Sequence, residues 1–190
     1  MAAARGQWPR AVAARDPGRL IFLDETWFTT SMARPSGYAP RGRRLVGALP
    51  YGHWKTTTFV AGLTADGLIA PMTLDGAMNT AAFVAYVDQV LAKEARPGDL
   101  VILDNLSSHK TPAAVAALRR HRIDCLYLPP YSPDLNPIEN AFSKLKRLER
   151  SAAERTVDGL WAAIGRLIDQ FRPAECRNYI RHCGYPATIN

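Results

Sequence analysis

Apolar and polar positions along the chain alternate between two periods. Short unbroken apolar runs occur at Leu20–Leu23, Leu100–Leu103 and Leu126–Leu128. Runs of this length suit central strands of a sheet covered on both faces. Thr56–Leu63 and Leu68–Leu74 predict two more strands, with Ala65–Asp66–Gly67 as the hairpin turn between them. Elsewhere the spacing changes to three and four. Phe83, Val84, Val87, Val90 and Leu91 predict a helix from Asn79 to about Ala95, closed by Pro97–Gly98. Pro112–His121 follows with Val115 and Leu118 inward, then Ile138, Phe142 and Leu145 on one helix face. A last strong stripe runs from Val157 to Phe171 behind Thr156 as N-cap, and Pro173–His182 predicts a final short helix. This order of strands and helices predicts an α/β fold.

The informative polar residues are those that end the apolar runs. Asp24 follows one run and Asp104 another, at the carboxyl ends of strands, where α/β sheets commonly place ligands. Pro129 and Pro130 stop the third run, because proline has no N–H to give a ladder. Asn136, Pro137 and Glu139 then predict a helix start, with asparagine as N-cap, proline at N1 and an acid at N3. Glu139 has two readings. Asn136-x-x-Glu139 is close to a capping box, in which the acid only ties down the helix start. Alternatively Glu139 converges with Asp24 and Asp104. Three clustered carboxylates repel one another unless cations lie between them, and hard oxygen donors point to magnesium or manganese.

The motifs FLDET (22–26), LDNLSSHK (103–110) and LPPYSPDLNPIENAFSKLK (128–146) resemble those of the DDE transposases of the IS630/Tc1/mariner superfamily, most closely the IS630 branch. Between Asp104 and Glu139 lie 34 residues (139 − 104 − 1), the D-D-34-E spacing of that superfamily. The likeness runs from about Arg19 to Pro186. It implies an RNase H-like mixed sheet flanked by helices, with Asp24, Asp104 and Glu139 as catalytic metal ligands for two Mg2+ or Mn2+ ions. It also implies cut-and-paste chemistry on transposon ends, with TA-containing targets and a homodimer assembled on DNA, in a bacterial cytoplasmic protein associated with the nucleoid. A related RNase H-like metal nuclease, or a DNA-binding remnant that does not cut, are the alternatives. Full-length relatives carry an N-terminal helix-turn-helix region. Residues 1–18 are therefore expected to be the tail of a linker to such a region, with 19–190 as the catalytic domain.

Composition adds a partner. The net charge of +7 and pI near 9.6 favour a polyanion. From Thr26 to Ala65 there is no acid, while Arg41, Arg43 and Arg44 stand among Tyr38, Tyr51 and Trp54. Basic residues with interleaved aromatics suit DNA backbone contact and stacking; the plainer alternative is a solvated loop with Trp54 in the core. Lys110, Lys144 and Lys146 are further candidates for DNA contact, or simply solvated charges. Asn105 and His109 lie close in sequence to Asp104 and are candidates for orienting a ligand, a water or a phosphate; a loop histidine near a helix start is the alternative. Three cysteines without CxxC spacing read as reduced thiols, and no apolar run is long enough to cross a membrane.

Overall fold

The computed structural model describes residues 2–13 and 15–186. Five strands form one mixed sheet: β1 (Leu20–Thr29), β2 (Thr56–Leu63), β3 (Leu68–Asp75), β4 (Leu100–Leu103) and β5 (Asp124–Tyr127), in the order β3-β2-β1-β4-β5. β1 is antiparallel to β2, and β2 to β3. β1 is parallel to β4, and β4 to β5. The two parallel pairs each need a helical crossover, and the sequence supplies one between β3 and β4 and another between β4 and β5.

Side-chain alternation along the strands divides the interior into two cores. Leu20, Phe22 and Phe28 of β1, with Leu100 and Ile102 of β4, face one side. There they meet α1 (Ala2–Ala13), α5 (Ile138–Ala152), α6 (Val157–Ile168) and α7 (Pro173–His182). Ile21, Leu23, Val101 and Leu103 face the other side. Against them pack α2 (Thr80–Tyr86), which continues through a π-helical turn at Val87–Leu91 into α3 (Ala92–Glu94), and α4 (Pro112–Arg120). Each fully buried Phe or Leu in these cores contributes roughly 1.5–3 kcal/mol. Gly62 is required where the sheet meets the second core: a Cβ there would lie 2.6 Å from Ile21 Cγ2.

Several expected local signals are present. Asn79, Thr111 and Thr156 each cap a helix by accepting a backbone N–H. The structure departs from the sequence reading at β1, Trp54 and Asn136. β1 does not stop at Asp24 but runs on to Thr29, because β2 continues to pair with it through Thr29↔Thr56 after the parallel ladder to β4 ends at Leu23↔Leu103. Within residues 1–18, α1 buries Trp8 and Val12 in the first core. Trp54 is 60% exposed rather than part of a core. Asn136 does not cap α5, which begins at Ile138 with no side-chain cap.

Candidate active site

A cleft of about 690 Å³ opens at the carboxyl end of β4 and beside the middle of β1, lined by Asp24, Glu25, Asp104, Asn105, Asn136, Glu139 and the segment 128–133. The three acids singled out by sequence thus share one cavity. Each arrives by a different route. Asp24 is carried by β1 at the first position beyond the parallel ladder, where the β4 side of the strand is no longer paired. Asp104 directly follows β4. Glu139 lies in the first turn of α5, whose Ile138, Phe142 and Leu145 are buried against the sheet and fix the helix in place.

Their environments differ. Asp24 is only 7% exposed. Its Oδ1 accepts the Glu25 N–H at 2.8 Å and its Oδ2 accepts Asn136 Nδ2 at 2.8 Å. Burial pushes its carboxyl up to about 7; the Glu25 N–H opposes this, and the charges of Asp104, Glu139 and Glu25 add to it. Asp104 is half-buried, and its Oδ1 accepts the Leu106 N–H at 3.1 Å and lies 3.0 Å from His109 Nδ1. Glu139 is exposed. Its backbone N–H bonds to Asn136 O, but no side-chain bond of a capping box joins the two residues.

His109 is fully buried between acids, with Nε2 3.4 Å from Glu25 Oε1, close enough for an ion pair but off the angle a hydrogen bond needs. Burial lowers the imidazole pKa, yet Asp104 and Glu25 outweigh it and raise the ring to about 9. Asn105 is exposed on the cleft wall. Two residues escaped sequence reasoning. Glu25 was hidden beside Asp24: strand alternation sends it to the opposite face, yet it still reaches the cleft wall. Asn136 carried a capping signal, while in the folded chain it binds Asp24; its Oδ1 is buried without a partner.

The basic candidates separate into two groups. Arg41, Arg43 and Arg44 are exposed in a long connection without helix or strand between β1 and β2. Lys110 is exposed, with its ammonium 5.4 Å from the Tyr127 ring centre, and Lys146 lies 4.7 Å from the ring centre of the exposed Trp27. Lys144, another candidate for DNA contact, is engaged within the fold. Its ammonium pairs with Glu175 at 2.6 Å, donates to Gln170 O at 3.0 Å and covers Phe171 at 4.4 Å, so its charge is committed to α7. Among the described residues, no three His, Cys, Asp and Glu side chains stand close enough to encircle one ion. The donor chemistry still fits a hard cation: all three carboxylates are oxygen donors on one cleft, and Asp24 is forced toward its neutral form by burial and by the other acids.

Residues 19–159 match the family model described as DDE superfamily endonuclease. The chain belongs to the DDE superfamily endonucleases. A comparison with curated proteins finds none that matches. The DDE fold is recovered in solved structures. The chain is similar to the Mos1 strand transfer complex, with a TM-score of 0.70, 17% identity, and coverage of 95% of this chain and 55% of that one. It is similar to the Mos1 mariner paired-end complex with Mn, with a TM-score of 0.70, 18% identity, and coverage of 96% and 56%. The Mos1 catalytic domain with Raltegravir and Mg gives 0.65 at 16% identity, with coverage of 96% and 85%. This DDE endonuclease thus has an RNase H-like mixed sheet flanked by helices, and spans about half the length of the Mos1 chains in those two assemblies.

Proposed function

We propose that this chain is the catalytic part of a cut-and-paste DNA transposase of the IS630/Tc1/mariner type, in its IS630 branch. The carrying observation is the convergence of Asp24, Asp104 and Glu139 on one cleft, with Glu139 fixed on a helix by a buried stripe. Those three residues would hold two Mg2+ or Mn2+ ions. Such ions, when bound, lower the pKa of an attacking water or 3′-hydroxyl and stabilise the leaving oxygen in phosphodiester transfer. The chain's own residues set the conditions. Asp24 gives up its proton to serve as a ligand, and Asn136 keeps its Oδ2 directed. Asp104 has Oδ1 occupied by Leu106 and His109, so Oδ2 is the free donor. No serine or tyrosine nucleophile is needed, since water or a DNA 3′-hydroxyl attacks directly.

Arg41, Arg43, Arg44, Lys110 and Lys146 carry the backbone contacts in this reading, with Asn105 on the cleft wall oriented toward a water or phosphate. The DNA partner is a transposon end and then a TA-containing target, with two copies of the chain assembled on it in the bacterial nucleoid. The Mos1 structures with Mn and with Mg, and in paired-end and strand-transfer complexes, support divalent metal and transposon-end DNA in this reading.

The test compares Glu139→Gln with Asp134→Asn. Glutamine keeps an acceptor oxygen but loses the charge that a hard cation requires. Glu139→Gln is expected to leave the melting temperature within about a degree of the parent and to abolish Mg2+- or Mn2+-dependent cleavage. Asp134, paired with Arg5 on the surface, is expected to tolerate asparagine with substantial activity. Joining of cleaved 3′ ends to a second DNA identifies the transposase; cleavage without joining identifies a metal nuclease, and binding without either identifies a non-catalytic remnant. Cleavage that persists in chelator would overturn the metal reading.

A further inference from the structure

Two polar side chains beside the cleft, one buried and one half-buried, have no place in the three-acid scheme. Alternation along β1 sends Asp24 toward α5 and Glu25 to the opposite face. On that face Glu25 meets His109, whose side chain is fully buried. A buried imidazole is costly unless its nitrogens are used. Here Nδ1 lies 3.0 Å from Asp104 Oδ1 and Nε2 lies 3.4 Å from Glu25 Oε1. The ring also packs on Phe83 at 4.5 Å between centres, and the His109 carbonyl accepts the Tyr127 hydroxyl at 2.8 Å. Backbone and ring are therefore held on several sides.

Asp104 needs such a support. The ladder of β4 ends at Leu103, so no strand partner fixes the next residue. Its Oδ1 is used twice, by the Leu106 N–H and by His109. Among the described residues no protein donor reaches Oδ2. Packing on Phe83 alone would explain a buried aromatic ring. It does not explain a ring whose two nitrogens each face a carboxylate, one on β1 and one beyond β4.

We propose that Glu25 and His109 are positioning residues: Glu25 anchors the imidazole, and the imidazole holds Asp104 with one oxygen turned into the cleft. The inference rests on Asp24, Asp104 and Glu139 acting as cation ligands. It makes the strand pair β1–β4 a rigid frame for the first two acids, locked at the level where the parallel ladder ends.

Mn2+ titration of the chain, followed by the electron paramagnetic resonance of the free ion, tests it alongside thermal melting. Asp104→Asn is the control and is expected to lose most Mn2+ affinity. His109→Ala is expected to weaken Mn2+ binding about 10–100-fold, the usual cost of losing a partner of a metal ligand. His109→Asn places an amide N–H near the position of Nδ1 and should recover most of that loss. Both variants are neutral and both lose the ring on Phe83, so their difference reports the bond to Asp104. If His109→Ala does not fold, Glu25→Gln replaces it, with weaker Mn2+ binding at an unchanged melting temperature as the expected result. Parent-like Mn2+ affinity in His109→Ala, or in Glu25→Gln in its place, while Asp104→Asn loses it, overturns the positioning role alone. Parent-like affinity in Asp104→Asn overturns the cation-ligand reading and the support with it.

Discussion

Asn136 is committed through Nδ2 to Asp24, while its Oδ1 is buried without a partner. While Asp24 is ionised, an amide oriented in this way does not turn over, because the flipped form would set two acceptors face to face. Asn136→Ala removes the donor from a buried acid. It is expected to cost about 1–2 kcal/mol in denaturant unfolding and to slow plasmid nicking more than tenfold. Unchanged nicking would leave Asn136 with a packing role only. At this scale the sequence was informative about charge and poor about partners. Asp24 and Asp104 stand out because an acid directly after four apolar residues has few structural reasons to be there. Asn136 and Glu25 do not stand out. Asparagine before proline has the same appearance whether it caps a helix or binds a strand across the sheet, and Glu25 is one of two adjacent acids whose faces depend on the strand continuing.

Among the elements, α5 carries both the third acid and a burden of its own. Glu149 on this helix is fully buried, and neither carboxylate oxygen has a partner. Burial raises its pKa to about 7, against the opposing charges of Arg155 and Arg150. An acid whose folded-state pKa lies above its ordinary 4.5 binds more protons in the folded chain than in the unfolded one across that interval. Its contribution is therefore most favourable below pH 4.5 and is lost as pH rises toward 7. Glu149→Gln is expected to flatten this part of the stability–pH curve and to stabilise the protein at pH 8 by on the order of 1–3 kcal/mol. Urea midpoints at pH 5 and pH 8 measure it, and a variant less stable than the parent at pH 8 would contradict it. The strands were legible as elements because unbroken apolar runs suit few other structures. α1 was not: among its described side chains only Trp8 and Val12 mark a buried face, Pro9 interrupts it, and helix formation there depends on a core assembled from distant residues. The π-helical turn at Val87–Leu91 was equally silent, since its apolar spacing fits an ordinary helix.

For the whole molecule, charge was legible and strand order was not. A net charge of +7 is a property of composition. The order β3-β2-β1-β4-β5 depends on which edges meet, and apolar runs of similar character do not encode that. The RNase H-like expectation came from motifs and spacing, not from periodicity. Distribution of charge was only partly visible: Lys144 belongs to a basic helix in sequence yet is held by α7 in space. Arg41, Arg43 and Arg44 remain solvent-facing. Their joint replacement by alanine is expected to weaken binding to unrelated duplexes alike, and to reduce the log–log salt slope by up to roughly 0.9 for each phosphate that is no longer neutralised. Fluorescence anisotropy across a salt series measures this. An unchanged slope would assign DNA binding to another surface.

The bond between Trp8 Nε1 and the Tyr185 hydroxyl, 2.8 Å long, has a topological consequence. Tyr185 in turn donates to Leu135 O at 2.7 Å, so residues 8 and 185 meet beside the turn that leads into Glu139. A flexible glycine–serine linker long enough to span both side chains and the first turns of α1 would make the polypeptide a closed ring that can be reopened elsewhere. The exposed stretch 35–49, without helix or strand, is the natural place to cut. A circular permutant opened there should melt near the parent temperature, because no core strand is interrupted. If it keeps its melting temperature but loses DNA cleavage, the continuity of that stretch serves the reaction and not the fold.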